Sequence, residues 1–229
     1  MADVLVERFK TSHTSQELNL KENEHNTLII FNSGIEDAKY NLKATLNKGA
    51  RLDIYNVVIS NLNTELNEEI NLCDVDATCN ILNVLLVGDN ATLNSNIMIN
   101  HLSKLTNSDF SNYAIAQGEA TMVLNNNAKI IKGASKSVVH QKAKGLTLSK
   151  TAKIKAMPNL FIDEYDVIAN HAASIGSINK EDLFYLMSRG LEEKEASKLI
   201  VLGFVQPLLD KIDNEELKEE ISKEFAKNL

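Results

Sequence analysis

From Thr27 onward the chain alternates apolar and polar positions over short stretches, the period-2 pattern of β-strands. Leu28-Ile29-Ile30-Phe31 opens it. A motif then recurs: a turn-type or polar residue, Ala, any residue, and an apolar residue or Cys. It reads Gly49-Ala50-Arg51-Leu52, Asp76-Ala77-Thr78-Cys79 and Asn90-Ala91-Thr92-Leu93. It returns as Glu119-Ala120-Thr121-Met122, Asn127-Ala128-Lys129-Ile130 and Thr151-Ala152-Lys153-Ile154. The Ala-to-Ala spacings are 27, 14, 29, 8 and 24, an irregular repeat. Many short strands, only two Pro and frequent Asn in the turns predict a β-solenoid or a β-sandwich. Periodicity alone does not separate the two. Alternation points Ala50, Leu52, Ala91, Leu93, Ala120, Met122, Ala152 and Ile154 inward. In a solenoid, Asn would take left-handed corner positions and stack in ladders.

The pattern changes after Gly176. Asn179 predicts an N-cap with Asp182 three residues on, followed by an apolar stripe of Leu183, Phe184, Leu186 and Met187 and a stop at Gly190. A second helix is predicted from near Glu192, carrying Ala196, Leu199, Ile200 and Phe204, with Pro207 kinking or ending it. A third follows Asp213 or Asn214, with Leu217, Ile221 and Phe225 four apart. The chain therefore divides into a lead-in segment over 1–16, a β-rich body over 17–176 and a helical tail over 177–229.

Composition narrows the function. The 229 residues carry a net charge of −7, which argues against a nucleic-acid partner. Residues 120–162 nevertheless hold eight Lys and no acid, suiting either solvated strand faces or a basic stripe for an acidic partner. No run approaches the ~20 apolar residues of a membrane helix, and the N-terminus shows no basic-then-apolar leader. Two Cys argue against a disulfide framework as the organising device and suggest a reducing cytoplasm.

The run Pro158-Asn159-Leu160-Phe161-Ile162-Asp163-Glu164-Tyr165-Asp166-Val167-Ile168-Ala169-Asn170-His171-Ala172-Ala173-Ser174-Ile175-Gly176 is followed by Phe184-Tyr185-Leu186-Met187-Ser188-Arg189-Gly190. Together they resemble the C-terminal signature of the SufB/SufD family, scaffold subunits of the SUF iron–sulfur cluster assembly system. The SufD branch reads roughly P-x-L-x-I-x-x-D-D-V-x-C-S-H-G-A-T-x-G, then F-Y-L-x-S-R-G. The resemblance is specific over about 138–212. It implies a mainly β fold, a right-handed parallel β-helix with a small C-terminal helical tail, in a compact form without the family's long N-terminal helical region. It implies a non-catalytic scaffold subunit, not an enzyme, working with a SufC-like ATPase. The scaffold would pair as a homodimer or as a heterodimer with a SufB-like subunit. His171 would be a cluster-assembly ligand, a metal ligand at the dimer interface. Phe184, Tyr185, Leu186, Arg189, Gly190 and Phe204 would dock the ATPase.

The departures carry consequences. Ala169 and Ala172 replace the SufD-branch Cys and Gly around this His, Tyr165 replaces one acid, and no Cys follows Cys79. No stable cluster is therefore expected on this chain alone, only a transient one in the complex. Cys73 and Cys79 would both face inward, too far apart to share a metal, if they lie on one strand; a corner at Asp74-Val75-Asp76 would reopen a ligand role. No P-loop, G-x-G-x-x-G or G-x-S-x-G motif is present. Asp163, Glu164 and Asp166 are expected to solvate a strand end. The rival readings are a β-solenoid that polymerises end to end and a β-helix enzyme acting on carbohydrate.

Overall fold

A computed structural model describes residues 3–8, 12–33, 36–212 and 214–229. One parallel sheet contains, in spatial order, β1 (Asp3–Arg8), β3 (His25–Asn32), β5 (Arg51–Ser60), β7 (Thr78–Val87), β9 (Asn107–Ala116), β11 (Val138–Thr147) and β13 (Ile168–Ser177). The second contains β2 (His13–Leu20), β4 (Ala38–Leu46), β6 (Thr64–Leu72), β8 (Thr92–His101), β10 (Thr121–Ile130) and β12 (Lys153–Ile162). Consecutive strands alternate between the sheets, so the chain winds as a β-solenoid of about six turns. The parallel β-helix implied by the resemblance is the fold adopted.

Register explains the irregular Ala repeat. Asp3 pairs with Asn26, His25 with Arg51 and Thr121 with Lys153, so one coil ranges from 23 to 32 residues and is longer toward the C-terminal end. Ala50 and Ala77 occupy one corner, where Thr78 N–H reaches the Ala50 carbonyl. Ala91, Ala120 and Ala152 occupy the other, where Thr121 and Lys153 N–H groups reach Ala91 and Ala120. Ala128 lies within β10 and belongs to neither column. All the positions expected to face inward are buried except Ile154, which is half-buried against the same core. The interior stacks like residues on like: Leu28, Ile54, Ile81 and Phe110 lie in register on successive coils.

The first corner needs a left-handed residue on each coil. Asn23, Gly49, Asp76, Leu105 and Lys136 all have φ between 58° and 63°. Gly and Asn tolerate this; Leu105 and Lys136 bear a cost of about 1–2 kcal/mol that the stacked coils must hold. The Asn ladders lie on the strands, not at the corners. On the outer face of the second sheet, Asn67 donates to Asn41, Asn96 to Asn67 and Asn125 to Asn96, at 3.0, 3.0 and 2.7 Å.

The tail forms α1 (Lys180–Ser188), α2 (Glu193–Leu209) and α3 (Glu215–Asn228). Asn179 caps α1 by accepting from Glu181 N–H, and Asn214 caps α3 by accepting from Leu217 N–H. Asp213 lies outside the described residues. Pro207 sits inside α2, which ends two residues later. The expected row on α2 is corrected: Ala196, Val201 and Val205 are buried, whereas Leu199 is half-exposed. These helices do not cover the end of the body. Val201, Val205, Leu217, Ile221 and Phe225 pack on Ile29, Phe31, Val57, Ile59, Leu82 and Val84, on the outer face of the first sheet. That face requires a cover because β3, β5 and β7 are apolar on both sides. No described helix is long and apolar enough to cross a membrane.

Candidate functional site

The last coil is left open. Among the described strands β13 pairs only with β11 and β12 only with β10, so both are edge strands. Phe161, Ile162, Ile168 and Ile175 are exposed there. Alternation carries the interior row of β11 (Val139, Gln141, Ala143, Gly145) onto Ala169, His171, Ala173 and Ile175 of β13. Gly145 makes room for this row. A Cβ on it would lie 3.0 Å from Ile175 Cγ1 and 3.2 Å from Ile154 Cδ1, so these two side chains close over it. His171 thus stands at the lip of the solenoid, on its inward side, directly over Gln141 and exposed. No described residue hydrogen-bonds its imidazole.

His171 has no ligand company among the described residues. Among the described residues no three His, Cys, Asp or Glu side chains are grouped to hold a metal ion. His140, one position before its register neighbour, faces outward and bonds Asn170 Oδ1 through Nδ1 at 3.0 Å. Asp74-Val75-Asp76 does form a corner, so Cys73 and Cys79 are not on one strand. Cys73 is exposed and Cys79 is buried in the core. Burial pushes the Cys79 thiol well above its ordinary value, with Glu68 and Asp53 adding to the shift, so it stays a neutral core side chain. Glu164 closes the loop after β12, accepting Gly133, Tyr165 and Asp166 N–H bonds that hold its carboxyl below the usual range.

The residues expected to dock a partner split into two groups. Phe184, Tyr185, Leu186, Arg189 and Gly190 lie on or just past α1, which has no buried residue. Phe184 is 74% and Tyr185 56% exposed, so α1 presents an aromatic surface to solvent. Arg189 lies over the Tyr185 ring at 5.2 Å and donates to its hydroxyl at 3.3 Å, holding that ring in place. Gly190 takes φ 95°, which lets the chain reverse into α2. Phe204 instead turns inward, edge-on to Tyr113 with centroids 5.5 Å apart. The Lys-rich stretch decorates the same end of the body: Lys142 and Lys144 are exposed on the first sheet, Lys129, Lys153 and Lys155 on the second.

Buried polar side chains escaped the sequence reading. Asp53 is buried beside Arg51, Asn80 and His25. Burial alone would raise its pKa, but those three partners hold it below the ordinary aspartate value. Inside the body, Glu68 and Gln141 occupy inward positions that alternation reserves for apolar side chains. The signal was available in the phase of each strand: Glu68 stands between Leu66 and Ile70, two residues from each.

The sequence of this chain is similar to that of known proteins. The family model described as SUF system FeS cluster assembly, SufBD core domain, covers residues 12–204. The chain is 36% identical over 130 residues to the iron–sulfur cluster assembly protein SufD of Bacillus subtilis, covering 57% of this chain and 30% of that one. It is 41% identical over 101 residues to a SufBD family protein of Pyrococcus horikoshii, covering 43% and 22%. With SufD of Escherichia coli the identity is 26% over 173 residues, covering 76% and 40%. The matched region thus spans less than half the length of these relatives. With its SufD-like signature set on the last coil of a parallel solenoid, and the core-domain match running through nearly all of that solenoid and into α2, the chain belongs to the SufB/SufD family.

Proposed function

We propose that this chain is a non-catalytic scaffold subunit in SUF-type iron–sulfur cluster assembly, working in the cytoplasm with a SufC-like ATPase. The observation that carries the reading is the open last coil, where His171 stands among exposed apolar side chains on unpaired strand edges. Edge strands of this kind pair with another chain. A second scaffold subunit, the same chain or a SufB-like one, would cover the edges and bring thiolate or carboxylate ligands to His171. Imidazole suits iron, but one neutral imidazole does not retain it. The cluster is therefore cargo of the complex, and the chain alone holds none stably. The aromatic surface of α1 would receive the ATPase, whose nucleotide-driven motion would rearrange the paired scaffolds.

The test is anaerobic reconstitution of the assembled complex with iron and sulfide, read by visible absorption. His171→Ala is expected to lower the cluster bands without changing the melting temperature, and the wild-type chain alone is expected to show none. Equal absorption from both complexes would overturn the role of His171. End-to-end stacking into filaments is the second reading, favoured among the described strands by the open edges of β1 and β2 at one end and of β12 and β13 at the other. Size-exclusion chromatography separates a discrete dimer from such polymers.

A further inference from the structure

Gln141 is 2% exposed on the inward face of β11. Its Nε2 donates to the carbonyl oxygen of Asn159 on β12 at 3.4 Å. A carbonyl only accepts, so the amide must turn its nitrogen toward Asn159 and leave Oε1 as an acceptor. That oxygen is buried and has no partner among the described residues. A buried acceptor left in this state is costly, and native structures generally supply it with a donor.

Along its own sheet, register limits which side chain can serve it. On β9 the residue opposite Gln141 is Phe110, which has no polar atom. On β13 it is His171. Alternation puts both side chains on the same face of adjacent strands. One residue back, on the opposite face, the equivalent pair is closed: His140 on β11 donates from Nδ1 to Oδ1 of Asn170 on β13 at 3.0 Å. The β11–β13 spacing therefore admits an imidazole-to-carboxamide bond between register partners. At 140 and 170 the His is on β11, and at 141 and 171 it is on β13.

We propose that Gln141 is a positioning residue for His171. A turn of the exposed His171 side chain brings one imidazole N–H onto the Gln141 Oε1, which then fixes the tautomer and the tilt of the ring. The other nitrogen, carrying the lone pair, is then presented to the open end of the solenoid, where a partner subunit would meet it. An orienting acceptor of this type typically changes the metal affinity of a ligating imidazole about 10–100-fold. The functional consequence rests on His171 being an assembly ligand, as proposed above; the bond itself does not.

The two parts are tested separately. For the bond, the full-length 15N-labelled chain is examined at pH 8 by two-bond proton–nitrogen correlation, with His171 assigned from its loss in His171→Ala. Wild type is expected to show one neutral tautomer at His171. Gln141→Met, similar in volume but without an acceptor, is expected to show the averaged pattern of a free imidazole. An averaged pattern in wild type overturns the proposal whatever the variant does, and so does an unchanged pattern in Gln141→Met. For the role, Gln141→Met in the reconstituted complex is expected to need about 10-fold more iron for the same cluster absorption. A locked tautomer together with full assembly by His171→Ala would uphold the bond and overturn its role in assembly.

Discussion

The side-chain amide of Asn56 donates to Glu68 at 2.8 Å across the interior of the solenoid, setting a carboxyl group in the middle of an apolar core. Asn56 belongs to β5 and Glu68 to β6, so the bond ties the two sheets together within one coil. The same nitrogen of Asn56 donates to Asn83, and Asn83 donates to Asn112, each at 2.8 Å. The interior thus carries a polar file parallel to its apolar columns.

Glu68 should make stability fall with rising pH. Burial pushes its carboxyl from 4.5 up to about 7, and the Asn56 bond only partly opposes this. Between those values the folded chain binds more protons than the unfolded one, so stability declines through that window and is lowest above it. The shift corresponds to about 3 kcal/mol at most. Glu68→Gln keeps an oxygen that can accept from Asn56 on a side chain of the same shape and loses the charge. It should flatten this dependence and exceed wild type by about 1–3 kcal/mol at pH 8. Urea unfolding at pH 5 and pH 8 decides it; parallel pH dependence in the two proteins would rule it out.

The tail should prove inseparable from the body. Truncation after Leu191 uncovers Ile29, Val57, Ile59, Leu82 and Val84, and the remaining solenoid should aggregate and bind an apolar dye. Phe225 is fully buried, so Phe225→Ala should cost about 3–5 kcal/mol in chemical denaturation. A soluble, dye-silent truncated body would contradict the covering role of α2 and α3.

Gly145 should resist enlargement. Gly145→Ala puts a methyl group against Ile175 and Ile154, which must move apart at an overpacking cost of about 1–3 kcal/mol. Ile175→Ala in the same chain should recover part of that loss. Thermal melts of the two single variants and the double variant test this; strictly additive losses would mean that Gly145 and Ile175 do not meet.

The surface of α1 should serve binding and not stability. Phe184→Asp changes a side chain that is 74% exposed, so stability should stay within about 0.5 kcal/mol of wild type. Capture of a SufC-like ATPase should weaken about 10-fold or more, since an exposed aromatic is a typical interface anchor. Unchanged affinity in a titration would remove α1 from the docking surface.

Local chemistry made much of this protein legible from its residues. Asn179, Asn214 and Gly190 mark helix ends because a cap is decided within three or four positions. Leu217, Ile221 and Phe225 mark a buried helix face for the same reason. Alternation placed Ala50, Leu52, Leu93 and Met122 inside because a strand has only two faces. What alternation does not contain is the identity of whatever lies opposite each face. The runs Leu28–Phe31 and Val57–Ile59 are apolar on both sides, yet the helices that cover them begin more than 130 residues later. The coil length, the Glu68–Asn56 contact and the register pairing of Gln141 with His171 depend on how 23 to 32 residues wind before the chain returns to the same column. Sequence determined which residues prefer to be inside; the winding of the solenoid decided which of them became neighbours, because those neighbours are a full coil apart along the chain.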